Sequence, residues 1–208
     1  MRILVLVTIV LAIAAGAWVV TGQAPVSASN GKTKVFQGAG ETNLDLNDPD
    51  NILLLDTRHG RITIQMRPDL APKHVQRIKV LVRQGFYDGL TFHRVIPSFM
   101  AQGGDPAGNG TGGSGIKIPG EFSDIKFERG VVGMARSRGV NSADSQFFIM
   151  LGNGRWLDGK YTAWGQVSDG MDAVSAIKKG RANENGKIDG EPDRILRMLI
   201  QADVQNGN

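Results

Sequence analysis

The chain has 208 residues, with 24 Lys and Arg against 20 Asp and Glu, 28 glycines and no cysteine. Such a length suits one compact domain with extensions, and the glycine content favours a turn-rich β fold over a helical bundle. The formal charge of +4 is modest, and its basic residues are dispersed without aromatic interleaving. It gives no ground for a nucleic-acid partner, and the lack of cysteine excludes a disulfide framework and thiol chemistry.

Met1-Arg2 is followed by an uncharged apolar run from Ile3 to Val20 and then by small residues, with Val26 and Ala28 flanking Ser27. Residues 1–28 therefore read as a secretory signal, and the protein is expected to be exported to the periplasm. The run is also about 18 residues, near the length that spans a bilayer, so a retained inner-membrane anchor is the competing reading. Membrane contact is expected only in that second case. Residues 29–50 are polar and aperiodic and read as a flexible linker. Asn47-Asp48-Pro49-Asp50-Asn51 then supplies turn chemistry ahead of a domain expected over residues 51–205.

That domain opens with two apolar-alternating segments, Ile52 to Thr57 and Arg61 to Met66, around Arg58-His59-Gly60, the pattern of a hairpin. Ile62, Ile64 and Met66 alternate with Arg61, Thr63 and Gln65, which predicts one wet face. After Pro68 to Pro72 a helix is expected, with Val75, Ile78, Leu81 and Val82 on its apolar face and Gly85 at its end. A shorter helix follows Asp169-Gly170, with Met171, Val174 and Ile177 at spacings of three and Lys178 and Lys179 in its last turn. Between the two helices come short strands at Thr91 to Val95, Phe99 to Gln102, Val131 to Ala135, Gln146 to Leu151 and Tyr161 to Val167. The run Ile195 to Ile200 can close beside the first hairpin. Several short strands with two helices favour a mainly β, closed antiparallel barrel.

The stretch Phe92 to Asp105 carries a residue mixture that a plain core does not need. Period-two alternation puts Phe92 and Arg94 on one strand face, with His93 and Val95 on the other. After Pro97 the chain returns Phe99, Met100 and Gln102 near the arginine. An apolar floor beneath a fixed guanidinium suits an apolar ligand with a carbonyl; the plain alternative is a barrel strand with an outward, ion-paired arginine. His93 is expected to be a hydrogen-bonded structural residue. From Tyr87, the order Tyr-x-x-Leu-x-Phe-His-Arg-Val-Ile-x-x-Phe-Met-x-Gln-Gly-Gly resembles the signature of the cyclophilin family of peptidyl-prolyl cis-trans isomerases. Ser145-Gln146-Phe147-Phe148-Ile149 and Trp156-Leu157-Asp158-Gly159-Lys160 are similar to two further motifs of that family.

The resemblance covers about Asn51 to Val204 and implies an eight-stranded barrel with a helix at each end. It implies an isomerase acting non-covalently on X-Pro bonds of exported proteins, with no cofactor and no metal. Arg94, Gln102 and Phe148 would be catalytic. Phe99, Met100, Ala135, Arg136, Gln146, Trp156, Leu157 and Tyr161 would bind the substrate, a proline-containing polypeptide met by a monomer. The same groove used only for affinity, in a binding module or exported chaperone, is the alternative function. Two positions depart from the eukaryotic pattern: Tyr161 replaces a histidine and Arg136 an asparagine, which bears on substrate preference and on cyclosporin-type ligands, although Trp156 is retained.

Other chemistries fit poorly. Gly108-x-Gly110-x-x-Gly113 satisfies a dinucleotide fingerprint literally, but Pro106 comes before it and no helix can start at Ile116 to Pro119. The segment reads instead as a loop whose backbone can approach an extended peptide. The three histidines, His59, His74 and His93, lack metal-ligand spacing.

Overall fold

The computed structural model describes residues 48–207. In it the first hairpin pairs β1 (Ile52–Thr57) with β2 (Gly60–Met66). Gly60 takes φ 124°, a conformation that side chains resist, and Thr57 Oγ1 fastens the turn by donating to the Gly60 carbonyl at 2.9 Å. Leu53 sits opposite Ile64 and Leu55 opposite Ile62, and all four are fully buried. The wet face is shorter than the alternation implies. Arg61 reaches Asp56 at 2.7 Å, but Gln65 is buried, its Nε2 donating to the Met66 and Asn51 carbonyls at 3.3 and 3.4 Å.

Helix α1 (Pro72–Arg83) buries the expected stripe of Val75, Ile78, Leu81 and Val82, and His74 with it. Pro72 opens the helix, where a missing N–H is harmless. Ala71 at the N-cap offers no side-chain acceptor, and Glu121 from a distant loop supplies one. Its carboxylate accepts from the backbone N–H groups of Lys73 and His74 at 3.1 and 3.0 Å, and from His74 Nδ1 at 2.6 Å.

The remaining strands are β3 (Arg94–Ile96), β4 (Met100–Gly103), β5 (Val131–Met134), β6 (Phe147–Met150), β7 (Ala163–Asp169) and β8 (Arg197–Ile200). Together the eight form one antiparallel sheet in the order β3-β4-β6-β5-β7-β2-β1-β8. It curls until its ends approach, and the seam between β3 and β8 is made by isolated pairs instead of a ladder. Phe92 N–H donates to the Asp193 carbonyl at 2.8 Å, and Ile195 N–H to that of Leu90 at 2.8 Å.

Helix α2 (Met171–Ala176) is shorter than expected: Ile177 leaves helical geometry at ψ 133°. Lys178 and Lys179 consequently lie beyond the helix and not in its last turn. Lys178 Nζ instead binds the carbonyls of Asp189 and Glu191, at 2.5 and 3.1 Å. A third short helix, α3 (Gln201–Gln205), follows β8 directly.

Strands β5 and β6 are buried along their whole length, and β4 everywhere but at half-buried Gln102, because both of their faces are covered. Alternation sends Ala101, Val132, Phe147 and Ile149 into the barrel interior, beside Trp164 and the apolar face of α1. Their neighbours Met100, Val131, Phe148 and Met150 point outward and pack with Phe127 and Leu157 as a separate cluster.

Residues 1–28, read as a signal or anchor, lie outside the described residues, as does most of 29–50. Of that second stretch, Asp48 accepts from the Asp50 backbone N–H at 3.0 Å, and Asp50 pairs with Lys79 at 2.5 Å on α1. Among the described residues no helix is long and apolar enough to cross a membrane.

Candidate active site

Strand register assembles the site. Arg94 on β3 lies opposite Gln102 on β4, and Gln102 opposite Phe148 on β6, so the three form one row across the outer face. Met100 and Met150 form the next row. Phe148 continues across to β5, where it meets Gly133. A Cβ at that position would come within 2.5 Å of the Phe148 ring, so only glycine allows the ring to lie there. Phe148 then packs edge-on against Tyr161, with centroids 6.0 Å apart and planes at 77°. Phe99, on the β3–β4 turn, stacks against Trp156 at 5.0 Å, and Trp156 is left 60% exposed at the rim.

These side chains line a groove of ≈ 930 Å³. Arg94, Phe99, Met100, Gln102, Ala135, Arg136, Phe148, Trp156, Leu157 and Tyr161 all reach it. Gln146 stands behind them. A hydrogen-bond chain links it to the arginine: Arg94 Nη1 donates to Gln102 Oε1 at 2.9 Å, Gln102 Nε2 to Gln146 Oε1 at 2.8 Å, and Gln146 Nε2 to the Gly112 carbonyl at 2.8 Å. The other side of the guanidinium is held by Asn185, whose carbonyl and Oδ1 accept from Nε and Nη2 at 3.0 and 2.7 Å. Three of the five guanidinium N–H groups are thereby engaged, which leaves two for a ligand. Burial lowers the Arg94 pKa from its usual value, and no carboxylate opposes that shift.

Two expectations at this site fail for one reason. β3 begins only at Arg94, and the backbone at Phe92 and His93 is outside any ladder, so strict alternation does not apply there. Phe92 enters the barrel interior with Val95, and does not share a face with Arg94. His93, expected on the far side, lines the groove. Neither of its ring nitrogens makes a well-formed hydrogen bond, and burial lowers its pKa.

Sequence reasoning missed Asn185. Asn185-Gly186 signals a turn, and Asn185 does adopt left-handed backbone at φ 55°, but nothing in the chain indicates a contact with a residue 91 positions away. The roles of Asp105 and Asp144 were also missed. Asp105 accepts from the backbone N–H groups of Ala107, Asn109 and Gly110 at 2.8, 3.0 and 2.5 Å, and Asp144 from Ser114 and Gly115 at 2.6 and 3.2 Å. The amides that could have cradled a phosphate are thus already occupied by the protein's own carboxylates. Despite burial, the backbone bonds hold the Asp105 carboxyl below the usual carboxylate range, and the Ser114 hydroxyl and the Lys117 ammonium, with the Ser114 amide, do so for Asp144. Gly108 and Gly110 of this loop reach the groove, as expected of a backbone that approaches a peptide. Among the described residues no group of three or more His, Asp or Glu side chains is placed to hold a metal.

Comparison with known proteins agrees with this geometry. The model of the cyclophilin type peptidyl-prolyl cis-trans isomerase family matches residues 52–199. A probable peptidyl-prolyl cis-trans isomerase of Brucella suis is 52% identical over 170 residues, covering 76% of this chain and 86% of its own. One from Synechococcus elongatus is 44% identical over 151 residues, covering 73% and 97%. Among solved structures, a cyclophilin from Hirschia baltica superposes with TM-score 0.67 at 28% identity, covering 75% of this chain and 76% of that one. A Cryptosporidium parvum cyclophilin type isomerase, crystallised in the presence of the dipeptide Ala-Pro, gives TM-score 0.64 at 28% identity, covering 72% and 98%. By motif, fold and family match, the chain belongs to the cyclophilin-type peptidyl-prolyl cis-trans isomerases.

Proposed function

We propose that the outer groove accelerates rotation about X-Pro bonds without covalent chemistry, through Arg94 above an apolar proline pocket. The observation that carries this reading is a guanidinium fixed on two sides, by Gln102 and Asn185, with two N–H groups unengaged beside Phe148 and Met100. Amide resonance puts the rotation barrier near ~18–20 kcal/mol, and twisting the bond leaves a lone pair on the prolyl nitrogen. The proline ring rests on Phe99, Met100, Phe148 and Leu157, with Tyr161 as a wall and Trp156 at the rim. An Arg94 N–H donates to the nitrogen with a strength that grows as conjugation is lost, so it favours the twisted state over either planar isomer. Gln102, positioned by Gln146, and the Ala135-Arg136 backbone hold one flank so that only the other rotates.

An acceleration of about 10⁵-fold requires roughly 7 kcal/mol. One charge-assisted hydrogen bond contributes about 1.5–3 kcal/mol, so orientation and loss of water around the bond supply the remainder. The substrates are proline-containing segments of exported proteins, in keeping with residues 1–28 as a signal or retained anchor, and membrane contact arises only through the anchor. The enzyme acts as a monomer, and the Phe99–Trp156 rim is suited to cyclosporin-type ligands.

The test is cis-to-trans relaxation of an Ala-Pro peptide, and proline-limited refolding of a model protein, with the wild-type chain and with Arg94→Ala. A fall of about two decades in kcat/KM for the variant, with the fold intact, is expected. Equal, negligible rates for both proteins would leave a groove that binds proline peptides without turning them over, and equal high rates would remove Arg94 from the mechanism.

A further inference from the structure

The groove carries more positive charge than rotation of a neutral amide requires. Arg136 follows β5, and its guanidinium carbon lies 4.6 Å from the centroid of the Tyr161 ring. Its Nε and Nη2 donate to the Lys160 carbonyl at 3.2 and 3.0 Å, and its Nη1 to the carbonyls of Ser137 and Arg138 at 3.0 and 3.3 Å. Each of these partners is a neutral backbone oxygen. The charge is therefore held in place without being neutralised, and one Nη2 hydrogen is left over. Arg94 is in the same condition, since its partners are an amide side chain and Asn185. Lys187 adds a third cation to the lining, and the single carboxylate there, Glu184, is already paired with Arg181 at 2.6 Å.

A cleft lined by an excess of one sign of charge between apolar walls focuses its field on whatever enters. Resting on the isomerase reading above, we infer that this groove selects proline peptides with a carboxylate on a residue flanking the proline, and that Arg136 sets the preference. Arg94 is committed to the prolyl bond. Arg136 stands at the rim beside Ala135, along the path of the flanking chain, where it meets side chains. A glutamate or aspartate there is attracted by a guanidinium already ordered on Tyr161 and accepts its remaining N–H. A lysine at the same place faces three cations.

Six proline peptides test this: Glu, Gln or Lys placed two residues before the proline in one set and two residues after it in the other. Each is titrated against the full chain and assayed for turnover, and the same is done for Arg136→Gln and Arg136→Lys. On one flank the Glu peptide is expected to bind about three- to tenfold more tightly than the Gln peptide at low salt, with the Lys peptide weakest. The Glu/Gln ratio, read within each protein, should fall toward about 1 at roughly 0.5 M salt, where the field is screened. It should also fall toward 1 in Arg136→Gln and survive in part in Arg136→Lys, which keeps the charge and loses the planar fork. Equal affinity for Glu and Gln peptides on both flanks overturns the inference, and so does a preference that Arg136→Gln leaves intact. A Glu preference in binding without turnover would sustain this inference and remove the isomerase reading; turnover without the preference would do the reverse.

Discussion

Two apolar clusters share strands β4, β5 and β6, and they meet different fates. The inner one, with Phe147, Ile149 and Trp164, is sealed by the barrel itself and by Ile78, Leu81 and Val174 of the two flanking helices. The outer one, with Met100, Phe148 and Met150, is roofed only by loop residues such as Phe127 and Leu157, and it ends at exposed Trp156. The same period-two alternation builds both. What differs is the cover. An inner residue has its partners supplied by the chain, whereas the outer surface is left short of partners where a proline ring would complete it. On the proposed function, stability belongs to one face and recognition to the other.

The adjacent pair Phe147 and Phe148 offers the strongest way to break that contrast. Phe147 is fully buried and meets Tyr87 and Trp164 edge-on, at centroid distances of 5.7 and 6.1 Å. Phe147→Ala should cost about 3–5 kcal/mol of folding stability in a denaturant titration. Phe148 contacts Phe127 and Tyr161 at the groove floor, at 5.8 and 6.0 Å. Phe148→Ala should cost about half as much stability, because the open groove admits water to the vacated space, while lowering turnover of an Ala-Pro peptide by one decade or more. Equal stability losses from the two variants would show that the faces are not distinct.

A smaller effect separates positioning from packing within the outer site. Asn185→Gly keeps the left-handed backbone and the carbonyl bonded to Arg94 Nε, and removes only the Oδ1 acceptor at 2.7 Å. This bond is exposed and water can take the place of the lost Oδ1, so its removal corresponds to about 1 kcal/mol, and kcat should fall roughly fivefold with KM nearly constant. A change in KM alone would mean that Asn185 touches the substrate and does not position the guanidinium. Asn185→Ala should be worse in stability as well, since alanine at φ 55° adds about 1 kcal/mol of strain.

Arg94 and Gln102 were legible together from the strand pattern and the turn after Pro97, whereas Phe148 joined them only through the family resemblance; pairing of neighbouring strands is what brings the three onto one face. Phe92 was misread where that logic ends: the strand begins two residues later, and alternation counted through irregular backbone put Phe92 on the wrong side. Gln65 shows a related limit. Its polarity suggested a wet face, but carbonyls within reach satisfy its amide in the interior. Asn185 and Glu121 were not legible at all, because each acts across the fold on a residue far away in the chain, and local pattern carries no information about loops that return. The glycine-rich loop was refused as a nucleotide site from its flanks alone. The deeper reason, that Asp105 and Asp144 occupy its amides, needed coordinates.

His74 on the buried face of α1 and His93 at the groove place the same chemistry in both settings. Burial lowers the pKa of each. The unfolded chain titrates near about 6.5, so as pH falls through that value it takes up protons before the native state does. The stability held by two neutral imidazoles is therefore complete above about pH 6.5 and declines below it, by at most about 1.4 kcal/mol per pH unit for each histidine. Glu121 acts later in the titration. Its carboxyl is held below the usual range by the bonds from His74 and Lys73, so its contribution persists until the pH drops through the acid range. His93→Gln should flatten the slope below pH 6.5 in part, and His74, whose ring is fully buried, should account for the rest. Occupying the groove with a proline peptide sharpens the distinction further. A ligand excludes more water from His93 and should depress its titration further in an NMR experiment, while leaving His74 unmoved. A shift of both histidines by the same amount would mean that the outer face does not bind independently of the inner one, and that occupying the groove tightens the whole barrel.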